Sequence, residues 1–361
     1  MTTSIEKPRV FGTGLIALDL VMGIDPQSPV RSWAGGTCGN VLSILAFLGW
    51  DAFPIARMNG DPASERVKAD MARWGVRLEF AGCSPTAHTP IVIQEIRRGR
   101  NGSPTHRFSW SCPRCGQWLP SFKPVTLGAV ETVAPKLPKS SVFFMDRLSR
   151  AALSLAARAS TAGAVVVFEP SGKSDETLFA EALRIAHIVK YADQRLAAAG
   201  GAMQGESATL LEVQTLRAEG LRYRHRLGRT PSDWARLDAV PAARLADTCG
   251  SGDWCTAGLV AKTATSGLAG FRSGGAAAIR RALRYGQALA AWNCGFEGAR
   301  GGMYAVERES FERQIEALLS GREVVVTGTA GASQAPLVAC PACPPDSARD
   351  NIVTHTGTEL L

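Results

Sequence analysis

The sequence predicts an α/β fold, in which helices cover both faces of a mostly parallel β-sheet. Strand-like and helix-like segments alternate along most of the 361 residues. Several of the strand-like segments, such as 142–146 and 164–168, begin as unbroken apolar runs rich in β-branched and aromatic residues. Such runs are typical of strands that helices bury on both faces. In these folds ligands bind at the carboxyl ends of the strands, so we expect functional residues there.

The composition sets the outer bounds on the kind of protein. With 45% hydrophobic and 20% charged residues and a mean hydropathy of +0.01, the chain can bury a large core without disulfides. It has no run of about 18 apolar residues and no apolar signal core at its start, which favours a cytoplasmic location over export or membrane insertion. Nine cysteines, an odd number, are expected to be reduced. The net charge of +8 is scattered, which favours an anionic nucleotide over nucleic acid as a partner.

The first elements are a strand and a helix that begins near a glycine pair. Residues 10–19 are predicted to start as a short apolar strand and to end in the acidic Asp19. The glycine pair 35–36 stands shortly before Asn40 and an apolar helix over 41–50. A glycine pair before a helix can also be ordinary turn chemistry, so this stretch has two interpretations.

A hairpin and a cysteine pair come next. The strands 89–96 and 106–110 are predicted to be joined by a turn. Just after them, Cys112 and Cys115 form a C-P-x-C-G knuckle, which can supply two corners of a tetrahedral zinc site. The candidates for the other two ligands are Cys340 and Cys343, which have the matching spacing, and the nearer Cys83, His88 and His106. The alternative is a pair of reduced cysteines in a turn.

The rest of the chain continues the alternation. The predicted elements are a helix after Pro62, a proline-containing connector over 123–139, strands over 142–146, 164–168 and 186–190, and helices over 151–162, 176–183 and 273–292. A glycine-dense loop covers 293–302. The segment 326–361 is rich in Gly, Ala, Thr, Ser and Pro and lacks periodicity, which predicts a flexible tail.

The turn at 250–252 is the most informative stretch for chemistry. Gly250 and Gly252 flank Ser251, and the small and apolar residues after Asp253 predict a helix that begins there. Free amide groups and the positive end of the helix dipole suit a phosphate over such a turn. Asp253 can then accept the proton of an attacking hydroxyl while the amides hold the transferring phosphoryl group. The alternative is a capped helix with no ligand.

The stretch 247–253 resembles the D-T-x-G-A-G-D signature of the ribokinase-like (PfkB) sugar and nucleoside kinases, with Ser251 in place of the usual Ala. The earlier glycine pair and Asn40 resemble the G-G-x-x-x-N element of the same family. Two such signatures in the right order are far more specific than either alone. The resemblance covers residues 9–305 and implies a ribokinase-like three-layer αβα sandwich with a small β-sheet lid near 86–122.

The resemblance also implies roles for particular residues. Asp253 would be the catalytic base, and Gly250, Ser251 and Gly252 would form the anion hole. The sugar would rest on Asp19, Gly35, Gly36 and Asn40. The lid would close over the sugar and exclude water, and it implies a homodimer formed through the lid.

The nucleotide side of the resemblance is less complete. The stretch from Thr215 resembles the T-x-G-x-x-G turn of the family, but Arg217 replaces its first glycine and is expected either to contact phosphate or to be a solvated turn residue. Asn293 and Gly295 are expected to contact the nucleotide. The monovalent-cation site of the family implies K⁺ beside Asp247.

The magnesium motif is the clearest departure from the family pattern. Many members carry K-x-N-x-x-E, whose Asn and Glu help to hold Mg²⁺ and its waters, whereas this chain has K-Y-A-D-Q-R at 190–195. Asp193 can substitute only in part, and Arg195 reverses the charge. The family's arrangement of Mg²⁺ ligands therefore cannot be transferred residue by residue.

The implied function is ATP- and Mg²⁺-dependent phosphorylation of a hydroxymethyl group on a sugar or nucleoside. One alternative is a catalytically weak sensor of the same fold that binds a sugar or nucleoside, which the missing Asn and Glu favour. The other is a zinc-containing interaction protein, which the two C-x-x-C units favour. The intact Asp253 argues against the first alternative, and the complete kinase core argues against the second.

Overall fold

The computed structural model describes residues 6–25, 28–99, 102–112, 115–171, 175–192, 202–203 and 205–325. The strands are β1 (Arg9–Thr13), β2 (Ala17–Met22), β3 (Arg31–Gly35), β4 (Asp51–Met58), β5 (Ala81–Cys83), β6 (Ile91–Arg98), β7 (Pro104–Ser109), β8 (Val142–Met145), β9 (Val165–Phe168), β10 (Ile188–Ala192), β11 (Leu211–Thr215), β12 (Leu221–His225) and β13 (Ala235–Leu237). The helices are α1 (Thr37–Phe47), α2 (Pro62–Arg73), α3 (Leu127–Val133), α4 (Arg150–Thr161), α5 (Glu176–Ile185), α6 (Ser251–Thr263), α7 (Gly267–Asn293), α8 (Gly301–Ala305) and α9 (Arg308–Leu319).

The large sheet has nine strands in the spatial order β13-β12-β11-β10-β9-β8-β1-β4-β5. From β11 to β5 every neighbouring pair is parallel, and only β12 and β13 run antiparallel to their neighbours. The prediction of a mostly parallel sheet is therefore confirmed. Parallel strands place their carboxyl ends along one edge, which is where ligands bind in such folds.

Helices cover both faces of the large sheet, and the alternation within its strands shows how. Phe144 and Val167 pack into a cluster with apolar residues of α1, α6 and α7. The neighbouring Phe143 and Val166 point to the opposite face and pack with α3, α4 and α5. Because successive side chains of a strand alternate between faces, strands buried on both faces must be apolar throughout.

The small sheet has four strands in the order β3-β2-β6-β7. The short strand predicted at the start of 10–19 is β1, which ends at Thr13 in the large sheet, whereas Asp19 lies inside a second strand, β2 of the small sheet. Gly14, with a φ of +152°, lies between the two strands. A turn at a single glycine within an apolar run produces no break in hydrophobicity, so the pattern reads as one strand.

Two further boundaries differ from the predictions. Helix α1 begins at Thr37, so it includes Asn40 in its first turn and ends at Phe47. The predicted connector over 123–139 contains α3 and a 3₁₀ helix over Ala134–Lys139. Pro135 stands at the start of this 3₁₀ helix, where proline fits, and Pro138 lies inside it, so the prolines, which suggested an irregular connector in the sequence, do not exclude short helical segments. Among the described residues, no helix is long and apolar enough to cross a membrane.

Candidate active site

The glycine turn forms the start of α6, as predicted. Gly250 is the N-cap residue and has a left-handed backbone, with φ of 75° and ψ of −5°. A Cβ at this position would lie 2.3 Å from the carbonyl oxygen of Ala299, so no larger residue fits without a shift of the backbone. The turn is therefore packed directly against the loop over 293–302. Its amide groups stand at the positive end of a 13-residue helix.

Asp253 lies in the first turn of α6, beside these amide groups. One carboxylate oxygen, Oδ2, accepts a hydrogen bond from Nδ2 of Asn40 at 2.8 Å. Burial, with a further contribution from the nearby charge of Glu169, raises the pKa of Asp253 to about 8. A carboxyl group with a pKa near the working pH is suited to accept a proton in catalysis.

Asn40 joins Asp253 to a buried arginine that the sequence interpretation missed. Its side-chain oxygen accepts a hydrogen bond from Nε of Arg300 at 3.1 Å, while its amide nitrogen donates to Asp253. These two partners fix the orientation of the amide, because a guanidinium can only donate and a carboxylate can only accept. Asn40 thus links the predicted base to the pocket that contains Arg300.

Asp19 is almost fully buried in β2, and its carboxylate occupies space that only glycine leaves open on β3. A Cβ at Gly35 would lie 1.9 Å from Oδ2 of Asp19. Burial raises the pKa of Asp19 to about 7, although the positive charge of Arg300 and a hydrogen bond from the backbone of Gly36 act in the opposite direction. Each glycine of the pair is therefore required for its own reason. Gly35 leaves space for the carboxylate of Asp19, and Gly36 is the N-cap residue of α1 with a left-handed φ of 77°.

These side chains enclose one small pocket. Its lining residues are Asp19, Val21, Trp33, Ala34, Asn40, Ala299 and Arg300. The structure thus brings together Asp19, the glycine pair and Asn40 as the sequence predicted, and Asn40 connects them to Asp253. Arg300 belongs to the glycine-dense loop, and no local pattern distinguishes it from an exposed loop arginine.

A buried lysine lies on the other side of the glycine turn. Lys190, on β10, forms an ion pair with Glu169 at 3.3 Å, and its ammonium is 3.6 Å from the position that a Cβ of Gly252 would take. Burial by itself lowers the pKa of Lys190, but Glu169, Cys255 and Asp253 outweigh it and raise the pKa above its ordinary value. The lysine therefore stays charged beside the turn. Glu169 directly follows β9 and so lies at a strand end, where functional groups are expected, whereas Lys190 is the middle residue of β10.

The predicted nucleotide side contains a strained turn. Thr215 ends β11, and Arg217 follows with φ of 57°, the one non-glycine residue with a positive φ among those the structure describes. A left-handed conformation costs a non-glycine residue about 1–2 kcal/mol. Arg217 thus has a backbone conformation that glycine adopts without this cost. Contact of Thr215 or Arg217 with a nucleotide stays a prediction.

Asn293 holds the glycine-dense loop together from inside. It is fully buried, its amide donates to the carbonyls of Gly298 at 3.3 Å and Ala299 at 3.1 Å, and its oxygen accepts from the amide of Gly302 at 3.2 Å. These bonds use both of its donors and shape the loop, and contact of Asn293 with a nucleotide stays a prediction. Gly295 donates its N–H to the carbonyl of Trp292 at 3.1 Å, within the same turn, and its contact with nucleotide stays a prediction.

Asp247 is bonded to three donors around the glycine turn. Its two carboxylate oxygens accept three hydrogen bonds, from the amides of Cys249 at 3.0 Å and Gly298 at 2.9 Å and from the side chain of Gln94 at 2.6 Å. Because Gln94 lies on β6, Asp247 ties the glycine turn to the small sheet. Its role as a K⁺ ligand stays a prediction.

The zinc prediction lies partly outside the described residues, because these do not include Cys340 and Cys343. Cys112 is buried and Cys115 is partly buried. Within the part of the chain that the structure covers, no three His, Cys, Asp or Glu side chains are grouped to hold a metal ion, which argues against Cys83, His88 and His106 as the second ligand pair. Zinc at Cys112 and Cys115 stays a prediction, as does a homodimer through the small sheet.

Comparison with known proteins gives a family and a fold. The sequence matches the model of the "pfkB family carbohydrate kinase" over residues 21–304. No curated protein matches it. Among solved structures, ribokinase of Arabidopsis thaliana complexed with ribose and ATP is 16% identical with a TM-score of 0.63, over 87% of this chain and 99% of that chain.

Two other structures are similar to the same extent. Fructokinase from Xylella fastidiosa with bound ATP is 16% identical with a TM-score of 0.66, over 88% of this chain and 99% of that chain. A nucleoside kinase of Burkholderia thailandensis in complex with inosine is 19% identical with a TM-score of 0.61, over 87% and 98% of the two chains. These similarities confirm the predicted ribokinase-like α/β fold with its additional small sheet.

Proposed function

The chain belongs to the pfkB family of carbohydrate kinases, and we propose that it transfers the γ-phosphoryl group of ATP to a hydroxymethyl group of a sugar or nucleoside. The observation that carries this proposal is the position of Asp253. Asp253 lies in the first turn of the helix that the glycine turn begins, and its carboxylate is bonded at 2.8 Å to Asn40, which lines the pocket of Asp19. A base between a phosphate site and a hydroxyl site is the arrangement that phosphoryl transfer requires.

The phosphoryl group is held by the glycine turn and by Lys190. The amide groups of residues 250–252 and the dipole of α6 favour negative charge over the turn. The buried ammonium of Lys190 adds a full positive charge on the side of Gly252. Fixed donors in a dry site stabilise developing charge without reorganisation, and this is usually the largest single contribution to catalysis.

The acceptor lies in the pocket of Asp19, and Asp253 removes its proton. Asp19 and Asn40 bind hydroxyl groups of the acceptor and direct its hydroxymethyl group toward Oδ2 of Asp253. Asn40 already donates to this oxygen, which supports a short path from the acceptor to the base. The small sheet closes over the pocket and excludes water as a competing phosphoryl acceptor.

Mg²⁺ accompanies ATP as the ion that neutralises the phosphates. The described residues contain no cluster of three acidic or metal-binding side chains, and residues 193–195 of the departing motif lie outside them. This fits an ion held through waters and phosphates with one or two carboxylates, as Mg²⁺ prefers. We assign Glu169 as the carboxylate that would hold it, because Glu169 follows β9 and its charge acts on both Lys190 and Asp253.

The pH dependence of turnover follows from the raised pKa of Asp253. Because burial and Glu169 raise that pKa to about 8, most of the free enzyme holds the protonated, inactive acid at neutral pH. We expect kcat/KM for the acceptor to rise with pH, by up to about tenfold per unit below pH 7, and to level off above about pH 8. Direct chromatography of ADP measures this without coupling enzymes. A profile that is flat between pH 6 and 9 contradicts the assignment of Asp253 as the base.

The proposed function is tested with a panel of acceptors. D-Ribose, D-fructose, inosine and related sugars and nucleosides are incubated with ATP and MgCl₂, and ADP formation and thermal stability are followed for each. We expect at least one compound that both raises the melting temperature and yields ADP and a phosphorylated product. A compound that stabilises the protein but yields no product, with ATP and Mg²⁺ saturating, would favour the sensor, which the altered motif at 190–195 supports.

A further inference from the structure

Arg300 is the most buried charged side chain of the pocket, with 1% of its surface exposed. Nε donates to Asn40 at 3.1 Å, and Nη2 donates to Oδ2 of Asp70 at 2.9 Å and to the carbonyl of Ala34. Nη1 is buried and has no hydrogen-bond partner among the described residues. An arginine has five N–H donors, so the two on Nη1 form no hydrogen bond here.

Donors that lack a hydrogen-bond partner on a buried charged group are costly, and the present contacts of Arg300 use none of the donors of Nη1. Asp70 already balances the charge of Arg300 through their ion pair at 2.9 Å. Asp70 is itself held in place, because its Oδ2 also accepts from the backbone amide of Ala34 at 2.8 Å and both of its oxygens lie within 3.1 Å of the hydroxyl of Tyr304. Leaving a buried donor without a partner costs about 1–3 kcal/mol, and more for a charged group. A structural role alone would be met by Nε and Nη2.

The free nitrogen belongs to a side chain that lines the same pocket as Asp19. Asp19 and Arg300 act on each other electrostatically, since each changes the pKa of the other group. Two residues that line one pocket thus carry complementary groups, unused donors on Arg300 and a carboxyl acceptor on Asp19. A ligand hydroxyl can satisfy both, because its oxygen accepts from a guanidinium while its proton is donated to a carboxylate.

We infer that Arg300 is an acceptor-binding residue that selects uncharged polyhydroxy acceptors. Its Nη1 donates a hydrogen bond to a hydroxyl oxygen of the acceptor, and the same hydroxyl donates a hydrogen bond to Asp19. This inference rests on the proposed function, because it places the phosphoryl acceptor in the pocket of Asp19. It adds a residue that lies outside both glycine signatures. It also gives the pocket a basis for discrimination among acceptors.

The balance of charge decides for an uncharged acceptor over a sugar acid. The positive charge of Arg300 is already paired with Asp70 at 2.9 Å. A carboxylate on the acceptor would add a further negative charge beside Asp19 without adding a positive one. Burying a charge without a partner is far more costly than burying a hydroxyl that has both of its hydrogen bonds.

The test is a double-mutant-type cycle, in which the loss of one acceptor hydroxyl is combined with the Arg300→Lys variant. The acceptor identified in the panel is compared with its monodeoxy analogues, for example inosine with 2′-deoxyinosine and 3′-deoxyinosine. In the wild type we expect one analogue to lose about 10- to 100-fold in kcat/KM. Lysine keeps the charge beside Asp70 but lacks the second guanidinium nitrogen. In Arg300→Lys we therefore expect kcat/KM for the parent acceptor to fall by a similar factor. For the sensitive deoxy analogue we expect kcat/KM to fall by about threefold at most.

Tyr304→Phe is the matched control, because it removes a partner of Asp70 without altering the pocket-lining guanidinium. We expect it to lower the melting temperature but to keep the wild-type preference among the analogues. If Arg300→Lys does not fold, the double variant Arg300→Gln and Asp70→Asn removes both buried charges together, and the same loss of preference is expected. Equal losses for every analogue in the wild type and in the Arg300 variant would overturn the inference.

The class of acceptor is tested separately with D-ribose and D-ribonate, which differ in charge. We expect the wild type to favour the uncharged member of the pair by at least about tenfold, in binding measured by calorimetry as well as in turnover. A preference for the acid would overturn the selection of uncharged acceptors. If no compound of the panel yields ADP with the wild type, the proposed function fails. If a compound is phosphorylated, but the losses from the deoxy analogue and from Arg300→Lys are independent and additive in free energy, only the role of Arg300 is rejected.

Discussion

Replacing Asp253 with Asn should lower kcat by about two to four orders of magnitude and leave the affinity for ATP nearly unchanged. Asparagine has the same shape as aspartate, and its side-chain oxygen can still accept the hydrogen bond that Asn40 donates to Oδ2 at 2.8 Å. The glycine turn therefore keeps its geometry. Only the ability to accept a proton from the acceptor is lost, so the effect appears in kcat and in kcat/KM together.

The measurement is single-turnover formation of the phosphorylated acceptor at saturating ATP, with nucleotide binding followed by calorimetry. Glu212→Gln is a suitable control for the loss of a buried carboxylate, because Glu212 is fully buried and its oxygens accept from Tyr191, Arg224 and the backbone of Ala202, none of which belongs to the proposed site. We expect this control to stay within about tenfold of the wild type. Retention by Asp253→Asn of more than a tenth of the wild-type kcat would rule out its role as the base.

Much of the fold was predictable because its signals are local. Apolar runs such as 164–168 became strands buried on both faces, since a strand covered by helices on two sides needs no polar residue. The small sheet was only half predicted. The hairpin of β6 and β7 has a turn between its strands, whereas β2 follows β1 after a turn at Gly14 with no change in hydrophobicity.

The site divides in the same way between local and distant signals. Asp253 and the glycine turn are adjacent in the chain, so a motif could contain them. Arg300 acquires its role from partners 260 and 230 positions away, Asn40 and Asp70, and no spacing rule connects these residues. Asp247 combines both kinds of signal, because its place in the motif suggests a cation ligand, which stays a prediction, while its bonds to the distant Gln94 and Gly298 appear only in the structure.

Gly35→Ala should raise the KM for the acceptor by about 100-fold or more, because it forces the carboxylate of Asp19 out of its position. The added Cβ would lie 2.0 Å from Cγ of Asp19 and 1.9 Å from its Oδ2, well inside any possible contact. The backbone of Gly35 lies in β3, where it pairs with Ala17, and its φ is not in the left-handed region. Alanine is therefore excluded only by the side chain that it meets. The nucleotide side contains neither residue, so affinity for ATP should not change.

Gly39→Ala supplies the matched control, since it makes the same chemical change four residues away. A Cβ at Gly39 would be 3.5 Å from the nearest atom of Ile16, an ordinary contact, and we expect acceptor KM within about threefold of the wild type. Initial rates at varied acceptor concentration, with ATP saturating, measure both variants.

The background of Asp19→Ala then decides whether Gly35 acts through Asp19. Asp19→Ala should itself weaken the acceptor by about 100-fold and spare ATP, because the hydroxyl groups that Asp19 holds lose a charged partner. The three atoms nearest to a Cβ at position 35 all belong to the Asp19 carboxylate, so once that group is absent, adding Gly35→Ala should cost little more. Two losses that multiply would mean that Gly35 serves the acceptor by another route. A loss of ATP binding in Asp19→Ala would place Asp19 on the wrong substrate.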